Sequence, residues 1–204
     1  MQNEHSLIFE DWTIKTPDKR IEIMQSAIEL IAEKGFHGAP MAEIAEKAGV
    51  AAGTIYRYFE SKDVLIVELH RELKDKIIAV LQEGYPSDSP LRQRFLYLFK
   101  KLICYYITNP LHFRYMEQYF SSPYGISMHR DRLLGKSGNQ DIFTDLFNQG
   151  IEQQVFKELP KALLFSLAFG PLISLIRDHI LGFFALDEIL IEKASEACWD
   201  AIKR

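Results

Sequence analysis

The sequence predicts an all-α fold of about nine helices, and three observations carry that expectation. No stretch sustains the apolar–polar alternation that a half-buried strand needs. Apolar residues recur instead at intervals of three and four, as in Ile21, Met24, Ile28 and Ile31. Residues that start helices, and the glycines and prolines that end them, punctuate the chain along its whole length.

Thr16-Pro17-Asp18 combines a hydroxyl cap, a proline at the first helical position and an acid in the first turn, so the first helix starts there and Gly35 ends it. A second helix is expected from about Pro40 to Ala48 and a third from about Ala51 to Tyr58. Ser61 caps a long fourth helix that reaches Gln82, where Gly84-Tyr85-Pro86 breaks it. Ser87 to Pro90 starts a fifth, and Asn109-Pro110 ends that helix and opens a sixth. After a turn-rich break at Ser121 to Gly125 and a loop at Gly135 to Gly138, a helix runs to about Gln153. Pro160 opens a long apolar helix to Gly182, and Asp187 opens the last. The short connections suit packed helices. The expected organisation is an N-terminal arm (1–16), a compact three-helix unit (17–62) and a larger helical body (63–204).

Composition narrows the function. With 204 residues, 48% hydrophobic and 25% charged, the chain can bury a real core and has an ordinary soluble balance. A net charge of -4 excludes attraction of polyanions by the global field, so any such contact must be local. Cys104 and Cys198 form no C-x-x-C pair and fit a reduced, cytoplasmic protein with both thiols buried. The six histidines show no metal-ligand spacing, and no Ser/His/Asp set, phosphate loop or carboxylate pair is recognisable. No metal, cofactor or enzymatic activity is therefore expected. Met1 to Asp11 has no Lys or Arg and reads as no signal peptide. The longest near-apolar run, Ala162 to Ile176, is fifteen residues and reads as a buried helix, not a membrane span.

Residues 41 to 60 carry the sharpest pattern, that of a helix-turn-helix. Ala45 sits where two helices approach closely, Gly49 sits in the turn where positive φ is needed, and Ile44, Val50 and Ile55 point inward. Glu43, Glu46 and Lys47 face out. The second helix of the pair is short and slim at its start (Ala51, Ala52, Gly53), as a major groove requires.

The string Gly49-Val-Ala-Ala-Gly-Thr-Ile-Tyr-Arg-Tyr-Phe-Glu-Ser-Lys-Asp-Val-Leu65 resembles the signature of the TetR/AcrR family of bacterial transcriptional regulators. The resemblance is specific over residues 17 to 70 and extends more weakly to the whole chain. It implies that Thr54, Tyr56 and Arg57 face the groove, with Ala51, Ala52 and Gly53 beside them. Tyr58 and Lys62 would touch phosphates, Lys62 with help from the helix N-terminus. Ile55 and Phe59 would be core. The chain departs from its relatives at three places. Ala39-Pro40-Met41 stands where many have a threonine, Ala51 and Ala52 replace polar residues, and the N-terminal arm is acidic and apolar. From Lys15 to Asp63 there are seven Lys/Arg against eight Asp/Glu, but from Lys47 to Lys62 the balance is three to one. Phosphate neutralisation thus falls to few residues.

The body is rich in aromatics: 18 of the 23 Phe and Tyr follow Gly84, nine of them between Phe95 and Phe120. They read as packed core or as the wall of a ligand cavity. The resemblance favours a cavity for a small-molecule effector, with Phe95, Phe99, Tyr106, His112, Tyr115, Gln118, Phe143 and Phe147 as lining residues. Within the helix at 160–182 the run Ala162 to Ile176 is apolar nearly all round, and Leu190, Ala194, Ala197, Cys198 and Ala201 share one face of the helix at 187–202. Both are expected to meet a second copy of the chain, forming a homodimer. A dimer would set two reading helices about 34–36 Å apart on a near-palindromic double-stranded DNA operator. The expected function is a repressor released by a small, mainly hydrophobic or aromatic ligand. The rival is an all-helical small-molecule-binding protein or enzyme that keeps the helix-turn-helix only as scaffold.

Overall fold

The computed structural model describes residues 18–127 and 141–204; the arm and the loop expected at Gly135 to Gly138 lie outside them. Among the described residues the chain is helical, with one isolated antiparallel bridge between Phe156 and Lys203. The helices are α1 (Lys19–Lys34), α2 (Met41–Lys47), α3 (Ala52–Tyr58), α4 (Lys62–Gln82), α5 (Leu91–Thr108), α6 (Pro110–Ser121), α7 (Ile142–Glu152), α8 (Lys161–Ile180) and α9 (Glu188–Ile202). Residues 123–127 are also helical.

Local chemistry sets the ends. Asp18, the first described residue, caps α1 by accepting the Arg20 amide, and Thr16 and Pro17 of the expected start lie outside the described residues. Ser61, Asp141 and Asp187 cap α4, α7 and α9 in the same manner, accepting the amides of Val64, Thr144 and Leu190. Pro90 caps α5 without a side-chain hydrogen bond, and Ser89 instead closes a turn on the Pro86 carbonyl. Gly49, at φ +64°, makes the turn between α2 and α3.

The N-terminal unit is closed by Ile23, Ala27, Ile31, Ile44, Ala45, Ile55 and Phe59, all essentially without solvent contact. Arg20 lies over the Phe59 ring, its guanidinium carbon 5.3 Å from the centroid, and pairs with Glu68 (2.7 Å) and Glu72 (2.5 Å) on α4. Those carboxylates raise its pKa. α1 also packs against α6, where the Gln118 amide donates to the Ala32 carbonyl (3.5 Å).

In the body, α9 packs on α5 and α8. The apolar circumference of α8 is divided. Leu164, Ala168, Leu172 and Ile176 form a buried line, Phe165, Phe169 and Ile173 face a cavity that opens beside Ser166 and Gly170, and Leu163, Pro171 and Ser174 are exposed. As folded, α8 has 20 residues and is long and apolar enough to cross a membrane by composition alone. Its buried line inside the body gives that apolar character another use. Two expectations need correction. Cys198 points into the core beside Trp199, not along the Leu190–Ala194–Ala197–Ala201 face, and burial pushes its thiol up to about 11. Cys104 is exposed on α5.

Phe59 ties α1, α3 and α4 together with no surface left exposed. Phe59→Ala should cost about 3–5 kcal/mol, read as a lower urea midpoint at unchanged slope.

Candidate nucleic-acid interface and ligand cavity

α3 is a seven-residue helix anchored through Ile55, with Ala51, Ala52, Gly53, Tyr56, Arg57 and Tyr58 exposed and Thr54 partly so. Tyr56 shows 55% of its surface and Tyr58 40%, a high exposure for aromatic rings in a monomer. Gly53 has ordinary helical backbone, and a β-carbon there would meet no atom of the protein within 4 Å. Glycine inside a helix costs about 1 kcal/mol relative to alanine. With no internal neighbour to accommodate, the missing side chain leaves the helix backbone open to something outside the chain.

The local cations are partly engaged. Lys47 pairs with Glu29 at 3.0 Å, and the Lys62 ammonium donates to the Phe36 carbonyl. Burial lowers the Lys62 pKa. Among the described residues Arg57 makes no ion pair, so its guanidinium is the charge that α3 presents outward. Lys62 thus fastens the α1–α2 loop to the start of α4, a use that sequence reasoning missed.

Next to it, Asp63 accepts a hydrogen bond from the Tyr124 hydroxyl, which pushes that phenol up to about 12. Phe36 meets Tyr115 and Tyr124 edge-to-face, at 6.0 and 6.1 Å. The Tyr115 hydroxyl donates to the Ile66 carbonyl at 2.9 Å. The N-terminal unit is therefore joined to the body both by the continuity of α4 and by aromatic side chains from α6 and the short helical segment at 123–127.

A cavity of about 570 Å³ lies between α4, α5, α6, α7 and α8. α4 contributes His70, Lys74, Ile77 and Ile78, α6 contributes Phe113, Met116, Glu117 and Phe120, and α8 contributes Phe165, Phe169, Ile173 and Arg177. Of the eight lining residues expected from the sequence, the structure brings Tyr106 and Phe143 to the wall. The other six stand elsewhere. Phe95, Phe99 and Phe147 have no exposed surface and stack within the core, with Phe95 and Phe99 3.9 Å apart. Tyr115 is committed to Ile66, and Gln118 to the α1–α6 contact. His112 shares a 2.8 Å hydrogen bond with Tyr105, and burial lowers its pKa. One signal pointed to the missed α8 wall: Phe165, Phe169, Ile173 and Arg177 recur every four residues.

A short exposed helix after a glycine turn, set on a helical body with a largely apolar cavity, defines a helix-turn-helix DNA-binding regulator. The chain belongs to the TetR family of bacterial transcriptional regulators. Residues 23–69 match the family model "Bacterial regulatory proteins, tetR family", and residues 90–203 match "Tetracyclin repressor-like, C-terminal domain". An HTH-type transcriptional regulator of Haemophilus influenzae is 26% identical over 183 residues, 90% of this chain and 95% of its own. The structure of a TetR-family transcriptional regulator from Vibrio parahaemolyticus superposes with a TM-score of 0.71 at 36% identity, covering 92% of this chain and 99% of that one. The transcriptional repressor KstR2 of Mycobacterium tuberculosis is 26% identical over 142 residues, 68% of this chain and 70% of its own. Membership places the chain among regulators of transcription, not enzymes.

Tyr115→Phe should lower stability by about 1 kcal/mol through the lost hydrogen bond to Ile66, whereas Tyr56→Phe, on the exposed face, should stay within about 0.5 kcal/mol of the parent. Urea unfolding of the two variants checks the contrast.

Proposed function

We propose that the protein is a cytoplasmic homodimeric repressor that leaves a near-palindromic operator when a small, mainly hydrophobic or aromatic ligand enters the cavity. The observation that carries this reading is the double duty of α4. Its first turn lies beside the reading helix at Lys62, and its middle forms the cavity wall at His70, Lys74, Ile77 and Ile78. A ligand that prefers one tilt of α4 shifts the population towards it, and the reading unit moves with the helix. The α6 contacts through Tyr115 and Gln118 supply a second connection to α1 and α4.

The dimer is supported by surface left uncovered. Along α9, Leu190 and Ala197 are exposed and Ala194 and Ala201 partly so, while α8 presents Leu163, Gly170 and Pro171. Leu181 (53%), Phe183 (74%) and Ile189 (64%) extend the patch across the connecting turn. Apolar surface of that extent is normally covered by a partner. On this reading residues 17–62 are the reading unit and residues 63–204 the ligand-binding and dimerisation body, with α4 crossing the boundary.

On the DNA side, Thr54, Tyr56 and Arg57 face the major groove. Ala51, Ala52 and Gly53 bring the backbone close while donating no side-chain hydrogen bonds, and Tyr58 and Lys62 lie against phosphates. The Lys62 ammonium has three donors, so its bond to Phe36 leaves two for a phosphate.

Selection of binding sites from random DNA should return a palindrome with half-sites one helical turn apart; recovery of no common sequence would refute the reading. Arg57→Ala should weaken binding in a sequence-dependent way, while Lys62→Ala should weaken it for all sequences alike and reduce the salt slope by about one. Gel shifts across a salt series measure both. Sedimentation at micromolar concentration should give a dimer, and a monomer would contradict the assembly.

A further inference from the structure

The cavity wall carries charge, but in pairs. Lys74 faces Asp141 at 3.8 Å, and Arg177 of α8 is bonded to Glu117 of α6. The Ser166 hydroxyl donates to the Ala162 carbonyl at 3.0 Å, and the His70 ring stacks on Tyr119 with centroids 3.8 Å apart. Tyr106 differs. Its ring is wedged edge-to-face between Tyr105 (5.6 Å) and Phe113 (5.3 Å), and its hydroxyl makes no hydrogen bond among the described residues. The side chain keeps accessible surface, yet it lies deep enough in the body that burial pushes its phenol well above the usual range. Surface that is accessible but deep inside a protein is cavity wall. The hydroxyl opens on the cavity with a donor not committed to the protein, and a ligand oxygen that accepts from it gains a neutral hydrogen bond worth about 0.5–1.5 kcal/mol.

We propose that the effector is an uncharged, largely apolar molecule whose single buried carbonyl or ether oxygen accepts a hydrogen bond from Tyr106. The aromatic and aliphatic walls, Phe143, Phe165 and Phe169 among them, take its hydrocarbon body. Lys74 and Arg177 already have opposite partners in Asp141 and Glu117, so a ligand carboxylate would compete with those carboxylates for them, whereas an uncharged oxygen on Tyr106 would not. This specifies the ligand of the regulatory reading above. The site itself stands on the cavity, and its test does not need the operator.

The test uses the full chain and a naphthyl ketone, propionyl-dimethylaminonaphthalene, whose emission reports a hydrogen bond at its one carbonyl. Wild-type protein should bind it with emission to the blue of the probe in water but to the red of the probe in an aprotic hydrocarbon. Tyr106→Phe should keep the volume of the site but blue-shift the bound emission and weaken binding about three- to tenfold, the worth of one neutral hydrogen bond. Without probe, Tyr106→Phe should unfold at the same temperature as the parent or a higher one. Methyl undecyl ketone should displace the probe from the wild type, and dodecanoate should do so at least tenfold less well. No probe binding by the wild type, identical emission and affinity in Tyr106→Phe, a marked loss of stability in that variant, or equal displacement by dodecanoate would each overturn the proposal. Probe binding with the Tyr106 signature but no effect on operator binding would uphold the site and remove the regulatory reading instead.

Discussion

Leu65, Ile66 and Leu69 close the core of the N-terminal unit against α1, and Leu73, Ile77 and Leu81 continue the same buried line into the body. One unbroken helix of 21 residues therefore has to satisfy two cores at once. A helix of that length moves as a rod about 30 Å long. Displacement of its cavity half is felt at its first turn, unless the helix breaks or one of the cores gives way. Close packing makes either outcome costly, so the choice is between discrete arrangements and not a continuum of tilts.

The contacts around the first turn decide where such a movement is delivered. Ser61 caps the helix, Lys62 holds the Phe36 carbonyl, Asp63 receives the Tyr124 hydroxyl and Ile66 receives that of Tyr115. Two of these partners, Tyr115 and Tyr124, belong to the body, and Phe36 belongs to the reading unit. The aromatic cluster that joins them is continuous with His70 through Tyr119, and His70 borders the cavity. Energy placed on the cavity wall thus has a packed route to the loop before α2, in addition to the axis of α4.

The reading unit was legible because its determinants are local. Ala45, Gly49 and Ile55 are fixed by the geometry of one turn, and the caps at Ser61 and Asp187 act within three residues of themselves. α1 starts from Asp18, whose carboxylate takes the Arg20 amide. The cavity was far less legible. Phe95, Phe99 and Phe147 are chemically the same as Phe143, Phe165 and Phe169, and only the crossing of distant helices decides which ring meets a neighbour and which meets empty space. The apolar circumference of α8 likewise serves core, cavity and uncovered surface together, a division that no single helix can announce. Lys62 was recognised by position, but its bond to Phe36 depends on the α1–α2 loop 26 residues away.

The central claim, that α4 transmits between the reading unit and the cavity, is tested most directly by amide hydrogen exchange on the free protein and on the protein bound to its selected operator. The account predicts that operator binding changes protection along α4 past His70 and as far as Ile78, on the half that touches no DNA. A change confined to residues 41–62, with the cavity half of α4 exchanging as it does in the free protein, would contradict it.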